Sequence, residues 1–434
     1  MEKNLRIEKL KEIQNIDTPY MTGIRISYKG DVREFNAYKI PLEFLIYNKL
    51  NGRIGSRVKS FEKQYHELNP EIIEHKEKIE QFLYDSKKDR NKSTQENIVE
   101  IGQQRHGIVT SSGIIIDGNR RSMLLNKIYK EREAWHNKGH NVENCKYFIA
   151  IILPDDADPK EIQRLETSYQ MGEDEKLDYN PIEKYLKIKD LQNYGFEPID
   201  IAKMMGEDES QIKIWIEIMS LMDKYLSYLS YDGIYTRLEK TEGPLVDLNN
   251  YIRRYSGNGS DMIQWDYDEM DINEMMLLCF DYIRARYEGK DFRIISKPSK
   301  KESIFCKSKV LWQDFLKSHQ EKMGQIEEPS VEEIRQKNPS VDMSKLLEAR
   351  DADWASKAKG LLLGNLNIAS NKLNDLNYSN QPLELVNRAY NALESINTEV
   401  EQFFNNEELY EKLQEINKMT FILMKAIKKY KPEN

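Results

Sequence analysis

Alternation of apolar and polar residues dominates the first part of the chain and gives way to helical periodicity after Pro159. Residues 22–30 alternate with period two and end at Gly30, and 34–40 resume the pattern after a short connection. This predicts an N-terminal β-hairpin closed by Pro41. Residues 57–83 place Val58, Phe61, Tyr65 and Leu68 at helical spacing, and 86–93 reads as a polar loop. A short helix near 95–103, a β-run over 113–117, a helix over 121–137 and a strand over 146–153 complete the segment. Strand, turn, helix and strand in that order predict an α+β or α/β domain.

Beyond Pro159 helical patterns run through 160–169, 181–193, 198–205 and 210–226. A polar, aromatic-containing region over 255–265, a helix over 272–287 and a basic stretch over 297–309 follow. Residues 325–340, with Pro329 and Pro339, read as a linker or domain boundary, and 344–430 is helical throughout. The expected layout is α+β: a mixed domain over 1–158, a helical domain over 159–324, and an all-helical C-terminal region over 341–434.

Composition changes this picture little. At 434 residues the chain exceeds the ~150 residues typical of one domain, so two or three units are expected. Its 32% charged residues and mean hydropathy of −0.74 predict a polar, helix-rich protein. A net charge of −8 argues against a whole-surface nucleic-acid coat and leaves room only for a local basic groove. No apolar run approaches the ~18 residues of a membrane span, and the first residues lack an export-type apolar core. Cys145, Cys279 and Cys306 are far apart and form neither a disulfide framework nor a metal knuckle. A cytoplasmic location, reduced thiols and no membrane partner are therefore expected.

The sharpest chemical signal is Asp117-Gly118-Asn119-Arg120-Arg121, between a strand end and a helix start. Helix N-terminal N–H groups attract anions, a glycine permits close backbone approach, and two guanidinium forks match phosphate oxygens. The plain alternative is an Asp-Gly turn followed by solvated arginines. Downstream come Leu165-Glu-Thr-Ser-Tyr-Gln170 and Asn180-Pro-Ile-Glu183; upstream lies Asn48-Lys-Leu-Asn-Gly-Arg53. Motifs of these kinds in this order resemble the ParB/sulfiredoxin superfamily, over roughly residues 36–230. The resemblance implies an N-terminal nucleotide-binding domain followed by a helix-turn-helix.

By that resemblance, Gly118, Asn119, Arg120 and Arg121 would hold the phosphates of a nucleoside triphosphate, CTP or ATP. Glu166 would hold Mg2+ and act as the catalytic carboxylate, Gln170 would lie beside it, and His106 and Gly107 would border the base. Thr167 stands where partition proteins carry the asparagine linked to hydrolysis, and the arginine ending the second motif is absent. These departures weaken hydrolysis more than binding. An acidic cluster, Glu173, Asp174, Glu175 and Asp178, reads either as further metal ligands or as a solvated loop.

Residues 198–219 fit helix, glycine turn and second helix, the latter capped by Ser210, as in the helix-turn-helix of the same family. Major-groove readers need basic or amide side chains near the recognition-helix N-terminus, and only Gln211 and Lys213 qualify. Residues 207–220 hold four acids against one lysine, −4 + 1 = −3, which opposes docking on phosphates. The five lysines and Phe305 of 297–309 are a better electropositive candidate. His136 and His140 have the spacing of a helical metal pair, but lack further ligands and read as surface residues. Near the C-terminus, Ala389, Leu393, Ile396, Val400 and Phe403 form one helical seam, and Leu409, Leu413, Ile416, Met419, Leu423 and Ile427 a second. Both predict either an intramolecular hairpin or a homodimer or partner contact.

The leading expectation is a nucleotide-binding protein whose occupancy switches conformation or DNA association, in partition, a mobile element or anti-phage defence. One alternative is enzymatic: a weak nucleoside triphosphatase, a nucleotide-dependent phosphotransferase or a ParB-like nuclease. The other is a non-catalytic adaptor.

Overall fold

A computed structural model describes residues 1–172, 180–256, 261–285, 291–379 and 382–430. The acidic cluster at 173–178 and the glycines at 257 and 259 lie outside the described residues. Among the described residues the fold is mixed α+β and 66% helical, with one five-stranded sheet. In chain order come α1 (Lys3–Ile16), β1 (Met21–Tyr28), β2 (Asp31–Pro41), α2 (Gly55–Gln64), α3 (Ile73–Asp85) and α4 (Lys88–Ile101). Then follow β3 (Gly107–Val109), β4 (Ile115–Asp117), α5 (Asn119–Lys130), α6 (Arg132–Asn137), β5 (Tyr147–Ile152) and α7 (Pro159–Met171).

The sheet order is β1-β2-β5-β3-β4, antiparallel except for the β3–β5 pair. Helices cover both faces, which explains the uninterrupted apolar run of β5. Phe148, Ala150 and Ile152 enter the core shared with α1, α3 and α5. Ile149, Ile151 and Leu153 enter a second core that includes Leu165 of α7. The anticipated hairpin is present as β1 and β2, paired from Met21 to Tyr28.

Two local expectations change. Residues 86–93 are not a loop, because α4 starts at Lys88 and ends at Gly102, whose φ is 76°. Its first turns are polar because Asn91 is fully buried and bonds the Tyr84 carbonyl rather than packing apolar surface. The helix expected over 121–137 breaks at Glu131 into α5 and α6.

Next come α8 (Pro181–Asn193), α9 (Pro198–Met205) and α10 (Glu209–Tyr228), packed through Met171, Ile188, Leu191, Phe196, Ile201, Met205 and Ile212. Gly206 joins α9 to α10 in the left-handed conformation, with φ 60° and ψ 44°. The second helix starts at Glu209 after Asp208, so Ser210 is not its cap. Helices α11 (Glu242–Tyr255), α12 (Glu269–Arg284), α13 (Asp291–Ser296), α14 (Ile304–Lys307), α15 (Lys309–Met323), α16 (Val331–Lys337) and α17 (Met343–Ser379) follow.

The basic stretch 297–309 folds around a fully buried Ile304-Phe305-Cys306, with Phe305 against Trp265 and Trp312. Phe305 therefore offers no stacking face to a nucleic acid. The segment 325–340 is not a bare linker. Glu328 pairs with Arg284 and Arg350, and Ser330 and Glu333 form a capping box on α16. Arg284 and Arg237 also pair with Asp351 of α17, which ties the start of α17 into the same unit.

Two compact units result, 1–366 and 367–434. Within the second, α18 (Pro382–Glu394), α19 (Glu401–Phe404) and α20 (Glu407–Tyr430) carry the predicted seams. The first seam does not run along one helix. Asn397 accepts the Glu399 N–H in an Asx turn, and the chain leaves α18 before Ile396. No residue of α20 is buried, and Met419, Phe421, Ile422, Leu423, Met424 and Ile427 are all at least half exposed.

Candidate functional site

The turn from β4 into α5 places Gly118 at the helix N-cap with φ 93° and ψ 18°. A Cβ added there would lie 2.6 Å from Phe148 Cζ, and one added at Gly107 would lie 2.2 Å from the same atom. Both glycines thus make room for the fully buried Phe148 ring, in addition to the left-handed turn at 118. Access for a ligand is not what requires them.

Six sequence-predicted residues meet here: His106, Gly107, Gly118, Asn119, Arg120 and Arg121. Asn119 is buried: its Oδ1 accepts the Asn48 N–H at 2.9 Å and its Nδ2 donates to the Ile115 carbonyl at 2.9 Å. It staples the 48–54 loop to the sheet instead of facing a ligand. Arg120 donates Nε–H to Asn91 Oδ1 at 3.1 Å and an Nη2 hydrogen to Thr94 Oγ1 at 3.2 Å. Arg121 donates Nη1 hydrogens to the carbonyls of Arg105 and His106, at 2.8 and 3.1 Å. The two guanidinium groups are therefore held by different segments, Arg120 by α4 and Arg121 by the loop before β3. That loop is fixed by Gln103, whose amide accepts the Ile149 N–H and donates to the Ile149 carbonyl, like an added strand residue. Gln95, one turn beyond Asn91 on α4, has a buried Nε2 with no hydrogen-bond partner.

Across the 48–56 loop, α7 and α8 contribute a buried charged layer. Glu166 is fully buried; its Oε1 accepts the Gly52 N–H at 3.0 Å and its Oε2 the Lys187 ammonium at 2.9 Å. Lys187 also donates to Gln163 Oε1 at 2.7 Å. Burial pushes the Glu166 carboxyl above its ordinary range, opposed by the Lys187 charge. Both carboxylate oxygens are already engaged, so the residue assigned to magnesium and catalysis is the anion of a buried pair. Gln170 is buried on the same helix and donates to the Ile116 carbonyl at 3.4 Å. Thr167 donates back to the Gln163 carbonyl.

Four residues before Lys187, Glu183 is also buried. It accepts the Ser56 N–H at 3.0 Å and the Ser56 hydroxyl at the start of α2. Burial raises its carboxyl to about 7, against the opposing Ser56 hydrogen bonds and the Arg57 charge. A helix N-terminus favours a carboxylate, but here desolvation outweighs it.

No protein-family profile, curated protein or solved structure matches this chain. Geometry therefore carries the argument alone. Among the described residues no cluster of three or more His, Cys, Asp or Glu is placed to hold a metal ion.

The proposed DNA contacts lie apart from this cradle, on α10. Lys213 is paired with Glu209 at 2.7 Å, and Glu217 with Arg253 at 2.8 Å. Sequence reading missed Asn91, Thr94, Gln95, Phe148 and Lys187. Only Lys187 left a signal, standing one helical turn after Glu183.

Proposed function

We propose that this chain is a ParB-like nucleotide-binding protein in which ligand at the start of α5 is felt by the helices that follow the sheet. The observation that carries the reading is the double attachment of one loop. Asn48 bonds Asn119 within the cradle, while Gly52 and Ser56 bond Glu166 of α7 and Glu183 of α8. A phosphate that moves the α5 N-terminus by a fraction of an ångström shifts hydrogen bonds to two buried carboxylates. Low dielectric makes such bonds sensitive to geometry.

The site chemistry favours a polyanion. An α5 start whose glycine N-cap has no side chain to cap it presents N–H groups, and Arg120 and Arg121 follow directly on it. CTP and ATP with Mg2+ are the nucleotides to test first. Because Glu166 is already paired, the proposal is for binding and switching, with turnover secondary.

Isothermal titration of each nucleoside triphosphate with magnesium, with and without duplex DNA, tests it. Binding to the parent that is lost in Arg120→Ala/Arg121→Ala, with the circular dichroism spectrum retained, is expected. Charge-assisted bonds to phosphate contribute ~1.5 to 3 kcal/mol each, enough to remove measurable affinity. Unchanged affinity in the folded double variant would remove the assignment, and DNA cleavage would replace the switch with the enzymatic alternative.

A further inference from the structure

At the opposite end of α5 from the cradle, a cleft of about 650 Å³ opens between α3, α5 and the ends of β2 and β5. We infer that this cleft is a second small-molecule site, in which the Lys76 amine captures a small aromatic aldehyde as an imine. The inference is independent of the nucleotide reading.

Lys76 is half-buried on α3 and lines the cleft. It forms no ion pair among the described residues, and its ammonium rests 5.5 Å from the centre of the Tyr47 ring. Glu80, the carboxylate one helical turn along α3, is already engaged. Tyr47 and Asn126 donate to its Oε1 at 3.1 and 2.8 Å, and Lys130 approaches its Oε2 at 3.4 Å. Burial and the Lys130 charge lower the Lys76 amine below its ordinary value, against the opposing charge of Glu80. A lysine desolvated beside a second cation gives up its proton more readily than an exposed one, and the free amine is the nucleophile. Leu42, Ile73, Tyr129 and Tyr147 give the lining apolar and aromatic surface for a flat body, beside the charged Glu43, Glu77 and Lys146.

The step balances without a further reagent. The amine lone pair adds to the carbonyl carbon, two amine protons pass to the oxygen, water leaves, and the C=N bond forms. Nothing is oxidised or reduced.

The test uses the full chain with pyridoxal as probe, below stoichiometric amount at pH 7. Sodium borohydride then fixes the imine as a secondary amine, and peptide mass spectrometry reads the labelled lysines. Lys76 should carry several-fold more label than exposed lysines such as Lys425 and Lys428, and Lys76→Arg should remove most of the incorporation. The Arg120→Ala/Arg121→Ala variant should label like the parent, which separates this site from the cradle. Label spread over surface lysines in the parent, or incorporation unchanged in Lys76→Arg, would overturn the inference. The parent map decides even if the variant fails to fold.

Discussion

Replacing Glu183 with Gln isolates the effect of one buried charge. The amide keeps an oxygen for the Ser56 N–H and places its NH2 against the Ser56 hydroxyl, which can accept, so both hydrogen bonds survive while the charge is removed. In the parent the folded-state carboxyl lies at about 7 against an ordinary 4.5. Below pH 4.5 both folded and unfolded chains hold the proton, and the group contributes nothing to pH dependence. Between 4.5 and 7 the unfolded chain releases the proton and the folded one retains it, so stability falls as pH rises. Above 7 the full penalty is present, roughly 3 kcal/mol from the displacement between the two values. About 2 to 3 kcal/mol of it develops between pH 5 and pH 8. Glu183→Gln should therefore have nearly the parent's Tm at pH 5 and a clearly higher one at pH 8. Thermal unfolding followed by circular dichroism at both pH values checks this. A Tm difference of the same size at both would show that Glu183 is ionised in the folded chain at pH 5, and would refute the desolvation argument.

Removing one partner of the Glu166–Lys187 pair should be severe. Glu166→Ala strands the Lys187 ammonium in a dry layer and should destabilise by about 3 to 5 kcal/mol, whereas Glu166→Leu with Lys187→Met should recover most of that in urea denaturation. Gln211→Ala and Lys213→Ala should leave any DNA affinity unchanged in fluorescence anisotropy, because Lys213 is neutralised by Glu209 and acids dominate the helix start; a footprint lost in either variant would reverse this. The exposed apolar face of α20 should drive self-association, so light scattering of the parent should give a mass above the monomer, and Leu423→Lys with Ile427→Lys should return it to the monomer. A monomeric parent would leave that face for a different protein.

The apolar run 147–153 and the alternating hairpin were legible because a strand between two cores, or between a core and solvent, writes its environment directly into the sequence. The same holds for α9 and α10, whose Gly206 marks the only left-handed residue between them. Helix α4 was misread for the opposite reason. The buried residue of its first turns is polar, with Asn91 bonding the Tyr84 carbonyl and Arg120, so no apolar period announces its start. The Asx turn at Asn397 likewise interrupts a seam whose spacing looked continuous, because a single side-chain hydrogen bond to the backbone leaves apolar periodicity untouched.

The sequence by itself determined where strands and helices alternate, that two arginines follow a glycine at a helix start, and that the C-terminal segment carries apolar stripes at helical spacing. Those features depend on neighbours a few residues away. Tertiary structure decided what the charged residues do. Glu166 meets Lys187 across 21 residues and Gly52 across 114, and Glu183 meets Ser56 across 127. Likewise Gly107 and Gly118 answer to one ring on a different strand. A carboxylate reads the same in sequence whether it faces magnesium, solvent or a buried lysine. Only the fold fixes its partner and its desolvation, and those two quantities set its charge state and its role.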